Sequence, residues 1–383
     1  MSGPLRGVRV IDMTSVAMGP YATQILGDMG ADVVKVESPD GDVFRHIAPS
    51  RNPGMGASFL NLNRNKRSIV LDLKRPEQAE QLRELACHAD VFVSNVRPKA
   101  MARLGLNDAS LRARNQRLIY CAAYGFSERG PYAGRPAFDD IIQAMSGLAA
   151  VQAAPGTGKP AYVNTLIADK TAGLTIAYAI AMALYERERS GLGQVLEIPM
   201  FETLVSFTLI EHLAGHTFDP PEGALGYERL LTAARRPYKT LDGFIALLPY
   251  TTEQWKRFFR VAGRPEVAED PRYMEPTNRS RNIHTLYGML ADLVAERTTA
   301  QWLSLLADAD IPHSEVLSLQ ALMDDPHLRE TGMLRRTAHP TEGTLRTIGI
   351  PGTLSRTPGT IRRPAPNLGE HRLSDIMEEW TAA

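Results

Sequence analysis

Apolar residues in the first half of the chain come in short β-branched runs, each followed by a stretch whose apolar positions recur at helical spacing. The first run is GVRVID at 7–12. After the loop MTSVAMGP, the segment YATQILGDMG predicts a short helix that closes on Gly30. The alternation continues through ADVVKVE, SIVLDL, a helix that opens at Pro76 and reaches about His88, DVFVSN, a short helical segment, and RLIYCAAY. Strands alternating with helices predict an α/β fold, a parallel sheet covered on both faces. Ligands of such sheets bind beyond the carboxyl ends of the strands, which directs attention to the Gly-, Pro- and polar-rich loops 13–20, 38–45, 95–98 and 124–131.

Beyond Asp169, KTAGLTIAYAIAMALYERE predicts an apolar helix about five turns long, too short and interrupted to cross a bilayer comfortably and better suited to a core. A break at 190–193 leads to another strand, QVLEIPM, and a helix over about 201–215. Pro220 and Pro221 give 218–222 the character of a linker, and YKTLDGFIALLPY predicts a hairpin around Asp242 and Gly243. Helices are expected in TEQWKRFFRVAG, RNIHTLYGMLADLVAE and TAQWLSLLADAD, followed by IPHSEVLS as an extended segment. The tail from about Met333, rich in Thr, Gly and Pro, reads as strands and loops.

At 383 residues the chain exceeds a single ordinary core and implies more than one domain. Forty-three Lys and Arg balance 43 Asp and Glu, so no net field recommends nucleic acid or an anionic membrane as a partner, and an anionic ligand has to be held by local charges. The absence of a membrane-length apolar run and of a signal-peptide pattern at the start predicts a soluble cytoplasmic protein. Cys87 and Cys121 stand far apart and no clustered Cys/His pattern accompanies them, so neither a disulfide scaffold nor a metal site is expected.

Glu37 ends the second strand where a dinucleotide-binding fold keeps its ribose-binding acid, but the preceding loop contains Gly19 and no GxGxxG. Walker A, GxSxG and kinase signatures are missing too. Asp169 is the acid of interest, alone in TLIADKTAGLTIAYAI at the start of a long helix. One reading makes it the N-cap of that helix. The other makes it a nucleophile: a helix N-terminus favours the carboxylate, the small Ala172 and Gly173 leave room for a ligand, and a carboxylate in a cleft can attack a thioester. Asp139 and Asp140, after a Gly/Pro loop, are either caps of IIQAMSGL or further catalytic acids.

Taken together, PLRGVRVIDMTSVAMGPYATQILGDMGADVVKVESPDGD, NLNRNKRSIVLDLK, DVFVSNVRPKAMARLGL, RLIYCAAYGFSERGPYAGRPAFDDIIQAMSGL, the Asp169 segment with GLGQVLEIPMFE, DDPHLRETGM and LGEH resemble the class III CoA-transferase family, which also contains acyl-CoA racemases. The resemblance runs nearly end to end. It implies a Rossmann-like large domain from residues 1–217 and 333–383, a linker and small α+β domain over 218–332, and two protomers interlocked as a homodimer. It assigns Asp169 the nucleophile's role, with Asp139 as an auxiliary acid, and acyl-CoA and a small carboxylic acid as substrates, without a tightly bound cofactor.

Positions that match the family's CoA contacts are Val16, Ala17, Met18, Ser38, Leu71, Asp72, Leu73, Lys74, Asn95, Val96, Arg97, Arg103, Pro136, Ala137, Phe138 and Asp139. Lys74, Arg97 and Arg103 suit phosphates, and Leu71 and Leu73 an adenine. Three departures qualify the match. Ala17 and Ser38 stand where formyl-CoA:oxalate transferases carry glutamine and arginine. Their glycine-rich loop is absent from 218–250, leaving the stretch 227–238 with Arg235 and Arg236 as the candidate cover. Phe138 replaces the histidine base of the racemases, which favours transfer over the alternative of racemisation or epimerisation; an inactive CoA-binding paralogue is the third reading. Arg45, His46, Tyr124, Arg235 and Arg236 are the candidates for an acceptor carboxylate, with succinyl-CoA the expected donor.

Overall fold

The β-branched runs build one parallel sheet of six strands in the order β3-β2-β1-β4-β5-β6: β1 Arg9–Met13, β2 Asp32–Glu37, β3 Lys66–Val70, β4 Val91–Ser94, β5 Ile119–Tyr124 and β6 Val195–Pro199. A computed structural model of the chain describes residues 3–153 and 158–382. The strand order reverses between β1 and β4, the place where a doubly wound sheet opens a crevice at its carboxyl edge.

Alternation along the strands fills two apolar layers. Val10, Val33, Val91 and Val93 face Ala22 and Leu26 of helix Met18–Asp28 and Ala172 and Ile176 of helix Ile167–Ser190. Ile11, Val34, Phe92 and Tyr120 face Leu82 and Leu85 of helix Pro76–Cys87, with Ile376 and Trp380 of helix Leu373–Ala382. Burial on both faces explains why these strands read as continuous apolar runs. Helix Ile167–Ser190 is long and apolar enough to cross a membrane by composition, yet half of it is buried against this core.

Two expectations need correction. β3 begins at Lys66 and ends at Val70, so Leu71, Asp72 and Leu73 form the loop after the strand and not its end. The tail does form a hairpin, Leu334–His339 with Gly343–Ile348, but it finishes in the helix Leu373–Ala382. Leu373, Ile376, Met377 and Trp380 carry helical spacing that the Pro- and Gly-rich stretch before them obscures.

The compact unit built on the six-stranded sheet comprises residues 3–152, 161–209 and 326–382; a second unit comprises 153, 158–160 and 210–325. In the second unit β7 Tyr238–Lys239, β8 Phe244–Leu247 and β9 His313–Glu315 form an antiparallel sheet beside helices Thr252–Val261, Ile283–Val294 and Thr299–Asp308. Trp255, Phe258, Phe259, Tyr287 and Trp302 fill its core. Thr251 with Gln254 and Thr298 with Gln301 start two of the helices as capping boxes.

Charged side chains are buried at the carboxyl half of the large sheet. Lys66 Nζ lies 2.9 Å from Asp12, Lys35 Nζ 2.9 Å from Asp42, and Arg45 grips Glu37 with two hydrogen bonds of 2.7 Å. None of these six side chains is more than 1% exposed. Burial by itself would raise the Asp12 pKa, but the ammonium groups of Lys66 and Lys35 and hydrogen bonds from Thr14 and Thr23 hold it far below the carboxylate range. Removing one partner of such a pair strands the other charge. Lys66→Met is therefore expected to destabilise the fold by about 3–5 kcal/mol. Urea unfolding checks this, and pairing it with Asp12→Leu should recover most of the loss.

Candidate active site

The loop between β1 and helix Met18–Asp28 is held from three sides. Thr14 N–H donates to Asp12, Ser15 N–H donates to Asn95 Oδ1 at 3.2 Å while Asn95 Nδ2 donates back to Ser15 O at 2.9 Å, and Val16 N–H donates to Asp42 Oδ1 at 3.2 Å. Val16 sits at φ 73°, a conformation that costs a β-branched residue on the order of 1–3 kcal/mol and persists only where its surroundings dictate it. The turn brings the Met18 N–H, first in its helix, to the carboxylate of Asp169. Gly173 permits that approach: a Cβ there would lie 2.8 Å from Met18 O.

Asp169 is not the N-cap expected of it. The helix begins at Ile167 behind Leu166, whose side chain makes no cap, and Asp169 is the third helical residue. Its own backbone N–H is capped from outside, by Asp139 Oδ1 at 3.0 Å. Asp139 Oδ2 accepts from Gln143 Nε2 at 2.6 Å, and Gln143 Oε1 accepts from Val163 N–H at 2.9 Å. Asp139 thus caps not the helix it opens, Asp139–Met145, but the one that carries Asp169. The Asp169 side chain is left free of that task.

Burial first, and the adjacent Asp139 carboxylate second, push the Asp169 carboxyl up to about 7 against the opposing Met18 N–H. Because the folded value lies above the ordinary 3.8, this group's contribution to stability is complete below pH 3.8 and is lost as pH rises through about 7. The ionised form is therefore the less contented one, and the more basic.

Two cavities open at the carboxyl edge of the sheet. The first, about 330 Å³, is lined by Asp169 together with Val16, Met18, Asn95, Val96, Arg97, Pro136, Ala137 and Phe138. The second, about 380 Å³, is lined by Ser38, Leu71, Asp72, Leu73 and Lys74. Ser15, Asn95 and Val96 belong to both walls, so the cavities adjoin. Most of the residues expected to contact CoA are thereby brought together from five separate segments. Three are not: Ala17 is 2% exposed and borders neither cavity, Asp139 is buried outside the first, and Arg103 is exposed and lines neither. Gly125, Phe126, Arg135 and Met200 also line the first cavity. A Cβ on Gly125 would come within 2.4 Å of the Ala137 Cβ, so the glycine keeps that wall closed up. Sequence reasoning misses Gln143, although its position one helical turn after Asp139 is a legible signal.

The candidates for an acceptor carboxylate separate cleanly. Arg45 is excluded: it is 1% exposed, clamped to Glu37 and stacked 3.7 Å over the Phe59 ring. His46 Nε2 lies 2.8 Å from Asp40 O. Arg235 and Arg236 are exposed in the second unit. Tyr124 lines the Asp169 cavity, with its hydroxyl pushed up to about 12 by burial. Lys74, Arg97 and Arg135 face the cavities without a carboxylate within 4.0 Å among the described residues. Phe138, 68% exposed, offers only carbon to the first cavity, and no histidine lines it among the described residues.

Comparison with known proteins shows the family. The family model described as CoA-transferase family III matches residues 5–372. The chain is 33% identical to the succinate–glutarate CoA-transferase of Agrobacterium fabrum over 98% of this chain and 95% of that one. It is 33% identical to the acetyl-CoA:oxalate CoA-transferase of Acetobacter aceti over 99% and 96%. Among solved structures, Rv3272 from Mycobacterium tuberculosis superposes with a TM-score of 0.84 at 30% identity, covering 97% of this chain and 98% of that one. A CaiB/BaiF family protein from Brucella suis gives 0.83 at 28% identity over 99% and 100%. An α/β sheet with a buried aspartate at its carboxyl edge, matched end to end in sequence and in fold, makes this chain a member of CoA-transferase family III and a CoA-transferase.

Proposed function

We propose that the chain transfers CoA from an acyl-CoA donor to a carboxylic acid acceptor through covalent intermediates on Asp169. The observation that carries this reading is a carboxylate relieved of capping duty by Asp139, set in a cavity wall and made basic by its surroundings. Raised basicity makes it a better nucleophile, and covalent catalysis divides one difficult exchange into easier steps.

The Asp169 carboxylate attacks the thioester carbonyl, the C–S bond breaks, and CoA leaves as the thiolate, giving a mixed anhydride. The thiolate then attacks the aspartyl carbonyl; the donor acid departs as a carboxylate and an aspartyl-CoA thioester remains. The acceptor carboxylate attacks that carbonyl and expels the thiolate. Attack of the thiolate on the acceptor's acyl carbon forms the new acyl-CoA and returns Asp169 as a carboxylate. The Met18 N–H, held toward Asp169 by the loop, can stabilise charge on its oxygens through each exchange.

The adjoining cavities suit an extended CoA, thioester in the Asp169 cavity and nucleotide beside Leu71, Leu73 and Lys74, with Arg97 on the first wall available to phosphate. Succinyl-CoA as donor and a small dicarboxylate as acceptor is supported by the names of relatives such as the succinate–glutarate enzyme. The exposed row Leu174, Tyr178, Met182 and Tyr185 along helix Ile167–Ser190 supports a homodimer, interlocked as the resemblance implies. Phe138 in place of a base leaves racemisation without its second proton carrier.

Asp169→Ala is expected to abolish transfer while CoA binding persists. With wild type, hydroxylamine trapping and peptide mapping after incubation with succinyl-CoA should place the adduct on Asp169; an unlabelled Asp169 in a turning-over enzyme would sink the assignment. Acylation should rise with pH through about 7, as the nucleophile ionises. Asp139→Asn removes the neighbouring negative charge, so the midpoint of that profile should move toward acid. A midpoint that stays put or rises would contradict the electrostatic role given to Asp139.

A further inference from the structure

The second unit contains a cavity of its own, about 560 Å³, which shares no lining residue with the Asp169 cavity. Two arginines meet there. Arg279 Nη1 donates only to neutral acceptors, Thr252 Oγ1 at 3.0 Å, Met274 O at 3.2 Å and Tyr273 O at 3.4 Å. Arg229 Nε donates to Tyr287 Oη at 3.4 Å, and its guanidinium lies 5.0 Å from the centre of the Tyr250 ring. Glu222 and Glu228 belong to the same lining, yet neither arginine has a carboxylate within 4.0 Å among the described residues. Both guanidinium groups are partly withdrawn from water. Burial first and the like charge of Arg229 second pull the Arg279 pKa down, while the hydroxyls of Tyr287 and Tyr227 hold the Arg229 pKa up against its own burial.

Two guanidinium groups that line one cavity and are held by neutral partners crowd like charge at Arg279 and keep donors in hand. An anion between them would relieve both costs, since the planar fork accepts a carboxylate or a phosphate through paired hydrogen bonds. Tyr250, Trp255 and Ile283 add carbon to a lining that is otherwise largely polar, and the space is larger than an inorganic ion needs. We propose that this cavity is a binding site for a short-chain dicarboxylate, with Arg229 and Arg279 taking its carboxylates and Tyr250 and Trp255 lining its carbon chain. The site does not depend on the acyl-transfer chemistry assigned to Asp169.

Isothermal titration calorimetry of the full chain with succinate and glutarate tests this, with inorganic phosphate as the competing anion. Arg229 bonds to the hydroxyls of Tyr287 and Tyr227 and packs on Tyr250, so Arg229→Gln should spare the fold, and an unchanged urea-unfolding midpoint would confirm it. Wild type should bind dicarboxylate; Arg229→Gln and Arg279→Lys should each weaken binding tenfold or more, and Arg229→Lys should weaken it less than Arg229→Gln. Dicarboxylate binding that is absent, or indifferent to Arg229→Gln, overturns the site. Phosphate binding as tight as succinate and equally sensitive to Arg229→Gln overturns the dicarboxylate assignment. Failure of Asp169 to form an adduct would leave these isotherms unchanged, so the two readings fail separately.

Discussion

A set of buried ion pairs under the carboxyl edge of the large sheet is the constraint from which the site descends. Asp12 with Lys66, Lys35 with Asp42 and Glu37 with Arg45 are almost wholly removed from water, an arrangement that is tolerated only when every charge is paired and hydrogen-bonded. Apolar replacements could fill the same volume. What they could not do is hold a loop by directed bonds: Lys35 Nζ donates to Thr14 O at 2.7 Å and Asp42 takes the Val16 N–H. The left-handed turn at Val16 is sustained by these bonds, and that turn presents Met18 to Asp169. Charge burial at the sheet is in this way converted into position at the site.

The second device is the separation of two duties that a single aspartate might have combined. A helix N-terminus attracts a carboxylate both as a cap and as a stabilised anion. Here Asp139 supplies the cap, fixed in turn by Gln143 and the Val163 backbone, and Asp169 keeps its oxygens for the cavity. The same neighbour raises the Asp169 pKa by its charge. One residue thus orients the helix and tunes the carboxylate it carries.

Much of this is legible in the amino-acid sequence. Val10, Ile11, Val33 and Val34 announce strands buried on both faces, and alternation with helices leaves few ways to arrange them. Asp169 stands out as a lone acid in apolar surroundings. Less legible are Arg45, whose charge suggests a ligand hook and whose burial against Glu37 makes it structural, and the helix Leu373–Ala382, whose spacing is hidden behind a Pro-rich tail. Arg229 and Arg279, 50 positions apart, give no sign in the sequence that they share a cavity.

The sequence by itself determined the fold class and the family and singled out Asp169 as the acid of interest, because apolar periodicity and local residue choice are properties of neighbouring positions. Only the tertiary structure decided which acid caps and which is free, that Val16 must be strained, and that Ser38, Leu71, Asn95 and Pro136 border adjoining cavities. Those outcomes depend on contacts between residues 26 to 80 positions apart, where hydrogen-bond geometry and exclusion of water decide, and neither is encoded in any local window of the chain.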